Sequence, residues 1–119
     1  SPAYYSCLES FASLLGDQKS YIRTRAFLLC CAQARWDDEG RLKQLLPALL
    51  ALFHDAKPAV VRQCLAAARE LVLFRPELRS AIYAELAQID LSRYRDSMAD
   101  LIRADMAELR GLIEESGTR

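Results

Sequence analysis

Two apolar runs at helical spacing, parted by a short polar break, constrain this chain more than anything else in it. Leu42, Leu45, Leu46, Leu49, Leu50 and Phe53 form one stripe, with Arg41, Lys43 and Gln44 off it. After the break HDAKP (54–58), Val61, Cys64, Leu65, Ala68, Leu71 and Val72 form a second. Residues recurring at i, i+3, i+4 and i+7 share one side of an α-helix, and both stripes are wide enough to face a core. A connection this short forces consecutive helices to lie antiparallel. Pro58 suits a first helical position, where its missing N–H costs nothing. Pro47 is harder to place, because inside a helix it removes one backbone hydrogen bond and bends the axis. An outer helix that wraps its partner tolerates such a bend.

The remainder of the chain reads the same way. It has no Asn-Gly turn and no sustained alternation of apolar and polar residues, so strand signals are nearly absent. LLGDQKS (14–20) stops one helix at Gly16 and starts another near Ser20. WDDEG (36–40) offers Asp37 and Asp38 as caps with Glu39 in the first turn, FRPEL (74–78) places Pro76 at a helix start, and QIDLS (88–92) offers Asp90 or Ser92. The spacing predicts six helices, over about 3–15, 20–35, 38–54, 58–74, 76–88 and 92–114. These group into three hairpins, about 3–35, 38–74 and 76–114, of an all-α fold forming a single domain over 1–119.

The hairpins repeat. LLGDQKSYIRTRAFLL and LFHDAKPAVVRQCLAAA each run an apolar helix end into an aspartate, Asp17 or Asp55, followed by Ile22-Arg23 or Val61-Arg62 and then by small and aliphatic residues. The two arginines are 39 residues apart, and IDLSRYRDSMADLI gives a weaker third copy through Asp90 and Tyr94-Arg95. The segment Leu45–Val72 resembles a HEAT repeat: Leu45, Leu46 and Pro47 match that family's proline-bearing first helix, Asp55 its turn, Val61-Arg62 the start of its second helix, and Ala66 to Ala68 the small residues that follow. Its aspartate-to-arginine interval is one residue longer than the usual pattern, which the first unit keeps. The resemblance implies a right-handed α-α superhelix of about three hairpins. It also implies that turn aspartates and second-helix arginines bond between repeats, so that Asp17, Arg23, Asp55 and Arg62 form a structural ladder.

Composition narrows the function classes. Sixteen basic residues balance sixteen acidic ones, which argues against a dedicated nucleic-acid or anionic-membrane binder. Thirteen of the basic residues are arginine, and an arginine-rich surface favours carboxylate pairing. Cys7, Cys30, Cys31 and Cys64 contain no CxxC pair, fall among apolar positions and are accompanied by the single histidine His54; neither metal site nor cofactor is expected. Unpaired core cysteines suit a reducing cytoplasm, no apolar run reaches membrane-span length, and no signal peptide is visible.

No catalytic constellation emerges. There is neither a glycine-rich phosphate loop nor a Ser/His/Asp arrangement, His54 reads as a helix-end cation, and Cys31 near Arg35 reads as core rather than nucleophile. The expectation is therefore a non-enzymatic scaffold that binds another protein or a peptide on a concave face lined by the second helix of each hairpin. SYIRTRAFLLCCAQARW (20–36) is apolar on nearly all sides: Tyr21, Phe27, Leu28, Cys31 and Trp36 do not all fit its core stripe. Phe27, Cys31, Arg62, Gln63, Arg69 and Glu70 are the expected contact residues.

Two alternatives accompany this reading. Trp36 beside Asp37 and Asp38, with Arg23, Arg25, Arg62 and Arg69 on one face, suits a nucleic-acid-binding or DNA glycosylase-like HEAT enzyme, although both aspartates are better explained as caps. The last helix carries a broad stripe of Met98, Leu101, Ile102, Met106, Leu109, Leu112 and Ile113. It either caps the open end of the stack or, over 92–114, joins a second copy or further repeats of a longer chain.

Overall fold

The computed structural model describes residues 2–117 and is all-helical over them. The α-helices are α1 (Leu8–Ala12), α2 (Ser20–Cys31), α3 (Arg41–Leu50), α4 (Pro58–Ala67), α5 (Arg69–Phe74), α6 (Arg79–Leu86) and α7 (Asp96–Gly117). Short 3-10 segments extend several of them: Pro2–Cys7 leads into α1, Ala51–His54 prolongs α3, and Pro76–Leu78 opens α6.

α2 and α4 begin where expected, at Ser20 and Pro58, without a capping side chain, whereas the first α-helix covers only Leu8–Ala12 and the last begins at Asp96 rather than near 92. The third helix starts at Arg41 rather than near residue 38, because Asp37 caps it from outside. One carboxylate oxygen of Asp37 accepts the backbone N–H of Arg41 (2.9 Å) and the other that of Leu42 (3.1 Å). Bringing Asp37 back over the helix end requires a reversal at Gly40, whose φ of +73° is open to glycine at no steric cost. The second helix ends at Cys31, with a separate 3-10 turn over Ala34–Trp36. The fourth is interrupted at Ala68, yet Ala68 N–H still donates to Cys64 (2.9 Å) and Val72 N–H to Ala68 (3.1 Å), so α4 and α5 act as one long element. Pro47 lies on the exposed side of α3, which tightens into its 3-10 extension a few residues later.

Each first element packs on the second element of its hairpin: α1 on α2, Ala51–His54 on α4, and α6 on α7. The second elements form a layer of their own, with α4 between α2 and α7. Contacts along that layer give its direction. The Lys57 ammonium reaches the Ser20 hydroxyl at the N-terminal ends of α2 and α4, and Arg62 of α4 meets Asp105 of α7 further along, with Arg69 beside Glu108 beyond it. α2, α4 and α7 therefore run parallel, their N-termini on one edge. The molecule is a slab measuring 41 × 39 × 19 Å, two helices thick. One apolar core fills it, with Phe27 of α2 against Phe53 beneath α4 at a centroid distance of 6.2 Å. No helix among the described residues is long and apolar enough to cross a membrane.

Candidate functional site

The turn aspartates act first on their own backbone. Asp17 accepts the N–H of Lys19 (2.8 Å), Asp55 that of Lys57 (2.9 Å) and Asp90 that of Ser92 (3.0 Å), so each closes the turn two residues on. Arg23 then joins the first turn to the second. Its Nε donates to Asp55 Oδ1 (3.0 Å) and its Nη2 to Oδ2 (3.1 Å), while its Nη1 donates to the carbonyls of Asp17 (3.0 Å) and Gln18 (3.1 Å). A planar guanidinium saturated this way fixes the distance between neighbouring hairpins.

Arg62, the repeat equivalent of Arg23, does not reach the third turn. It pairs with Asp105 of α7 through Nε (2.7 Å) and Nη2 (3.4 Å). The third turn is longer, passing through a 3-10 segment at Leu91–Arg93 before α7 begins, so Asp90 falls out of register. The Asp90 carboxylate is satisfied by the Ser92 amide and hydroxyl, which hold its pKa below the ordinary value. The third hairpin is tied on differently: Tyr94 donates its hydroxyl to the Asp55 carbonyl (2.6 Å), and Arg93 donates to the His54 carbonyl (2.5 Å). His54 itself pairs with Glu85 of α6.

Two of the expected contact residues require correction. Phe27 and Cys31 are fully buried, so neither presents a surface to a partner. α2 is gripped by α1 on one side and α4 on the other, and these two residues face inward between them. Burial also pushes the thiols of Cys30 and Cys64 up to about 12 and that of Cys31 well above its ordinary value, which leaves all three unreactive at neutral pH. Arg69 is exposed beside Asp105 and Glu108 in a small cleft between the fourth and last helices, and Glu70 is half-buried near enough to Cys31 to act on its thiol. Gln63 is exposed and lines a different feature.

That feature is a trough of about 660 Å³ between α2 and α4. Ile22, Leu28 and Leu29 form its floor and wall on the α2 side, and Ala59, Val60 and Gln63 on the α4 side. Leu14 and Tyr21 extend it at the end of the layer. Its side chains are open to water: Tyr21 is 67% exposed, Leu28 39% and Leu29 37%. Tyr21, Arg25, Leu28 and Leu29 are the exposed residues of α2, followed by Ala32 just past its end, and their spacing places them on a single face. The off-stripe set of α2 thus divides: Tyr21 and Leu28 face out, Phe27 and Cys31 face in. The spacing of 21, 25, 28, 29 and 32 was the available signal, but a helix apolar on all sides does not mark which of its faces lacks a neighbour.

Trp36, Asp37 and Asp38 do not meet in a cleft. Asp37 is buried, with its carboxylate engaged by the Tyr5 hydroxyl and by the two amides it caps. Asp38 accepts from Arg75 (3.4 Å), and Arg35 lies between the rings of Trp36 (5.7 Å) and Phe74 (4.5 Å). Comparison with protein-family models, with curated proteins and with solved structures found no match for this chain.

Proposed function

We propose that this chain is a short α-solenoid unit of the HEAT kind, a right-handed stack of three hairpins that acts without catalysis as a docking module for a helix or peptide of another protein. The observation that carries the proposal is the open apolar trough between α2 and α4. Exposed leucines and a tyrosine clustered in one concavity lower the free energy most when a partner covers them. The parallel layer beneath is held by the Arg23–Asp55 fork and by one continuous core, so the trough is already shaped and little ordering cost opposes binding. Gln63, from the expected set, lies in the contact surface, and Tyr21, Leu28, Leu29 and Ala59 replace Phe27 and Cys31 there.

Selection from a displayed library of helix-forming peptides, against the wild type and against Leu29→Glu, tests this reading. Leu29 is on the surface, so the variant keeps its fold, which circular dichroism verifies. Peptides enriched by the wild type and lost by the variant are the expected result. Equal enrichment by both proteins removes the trough from the proposal.

A further inference from the structure

The charges around the trough have one sign. Arg25 and Lys57 stand on its rim, and no Asp or Glu is among the described residues that line it. Arg25 forms no ion pair or hydrogen bond with the described residues, and the Lys57 ammonium, among them, donates only to the neutral Ser20 hydroxyl (3.2 Å). Arg23, Arg41, Arg62, Arg75 and Arg103 each pair with a carboxylate, whereas Arg25 and Lys57 stand unneutralised beside an apolar floor. Lys57 also touches a second hollow at the edge where the parallel helices begin, lined by Arg93 and Arg95 and by no Asp or Glu among the described residues.

Resting on the docking function proposed above, we infer that the trough takes an acidic amphipathic helix of a partner protein, with its apolar stripe between α2 and α4 and its carboxylates on Arg25 and Lys57. Helical form follows from what the trough offers. It is walled by side chains of two complete helices and presents no strand edge, so an extended segment would leave its own N–H and C=O groups unpaired against leucine. A helix satisfies its backbone internally and lays one face into such a groove. From Tyr21 to Leu29 the α2 wall is roughly 12 Å long, which matches about two turns of the guest and apolar anchors at i, i+4 and i+7.

The test uses the full chain and two designed helical peptides of about 15 residues, about four turns, which share those leucine anchors. One carries Glu on the flank and the other carries Lys. Fluorescence anisotropy should give the Glu peptide about tenfold tighter binding than the Lys peptide, weakening as salt rises. The exposed double variant Arg25→Glu, Lys57→Glu should reverse that order, and Leu29→Gln should weaken both peptides by about tenfold. Equal affinity for the two peptides, still lowered by Leu29→Gln, overturns the acidic preference and leaves the docking function standing. Binding of neither peptide overturns this inference, while the library selection judges the docking function separately. A poly-dT strand that competes with the Glu peptide, binds more tightly and is lost in the double charge variant overturns it in favour of a polyanion.

Discussion

Asp37 has much to lose from substitution. It is a buried carboxylate, and its three hydrogen bonds hold the start of α3, the Gly40 reversal and the amino-terminal segment through Tyr5. Asp37→Ala leaves two helix-start amides and a phenol without their acceptor. We expect a loss of about 2–3 kcal/mol, read as a lower urea midpoint at unchanged slope. Tyr5 reports the same site from the other side. Burial, and then the hydrogen bond to Asp37, push its hydroxyl up to about 12 from an ordinary 10. The folded pKa lies above the unfolded one, so the stabilisation is complete below pH 10 and disappears as pH rises through 12. Phenolate absorbance should show a step near pH 12 in the wild type that Tyr5→Phe lacks and Asp37→Ala moves toward 10. A wild-type step for Tyr5 near 10 would mean the pair is not formed.

Between elements, Arg23 and Arg62 occupy equivalent places in the repeat and perform unequal work. Arg23 is mostly buried and bonds both oxygens of Asp55 as well as two turn carbonyls, whereas the Arg62 side chain is 39% exposed and bonds Asp105 alone. Arg23→Ala should cost about 2 kcal/mol and Arg62→Ala clearly less, the difference reflecting charge-assisted bonds shielded from water against a solvent-screened pair. Double-mutant cycles with Asp55→Ala and Asp105→Ala should give the larger coupling for Arg23. Equal couplings would show that both rungs contribute alike. The interval of seven residues between Asp55 and Arg62, against six between Asp17 and Arg23, was a sequence mark of this inequality. The identity of the substitute partner was not, because Asp105 lies 43 residues away.

For the molecule as a whole, the question is where α7 spends its apolar stripe. Ile102, Met106, Leu109 and Ile113 are buried within the chain's own core, against α4, α5 and α6, while Leu101 is 42% exposed. Ile102→Ala should therefore cost about 2–4 kcal/mol and Leu101→Ala less than about 0.5 kcal/mol. Light scattering across a dilution series should return the mass of one chain, 13.4 kDa, throughout. A mass that climbs with concentration and falls in Leu101→Lys would instead put the outer face of α7 at an interface between copies.

Helix positions, turn chemistry and the pairing of neighbours in hairpins were legible in the sequence, because apolar periodicity, prolines and capping aspartates act over a few residues and carry the same meaning in any fold. The resemblance to HEAT repeats implied bonds between turn aspartates and second-helix arginines, and the structure specifies the pair Arg23 and Asp55. Two things depended on tertiary structure. Which side of α2 stays open was decided by α1 and α4 closing on it from two directions, so that Phe27 went inward and Leu29 outward although both are apolar residues of one helix. Which carboxylate Arg62 meets was decided by the length of the third turn and by how α7 lies against α4, distances that accumulate over many residues and that no local pattern encodes.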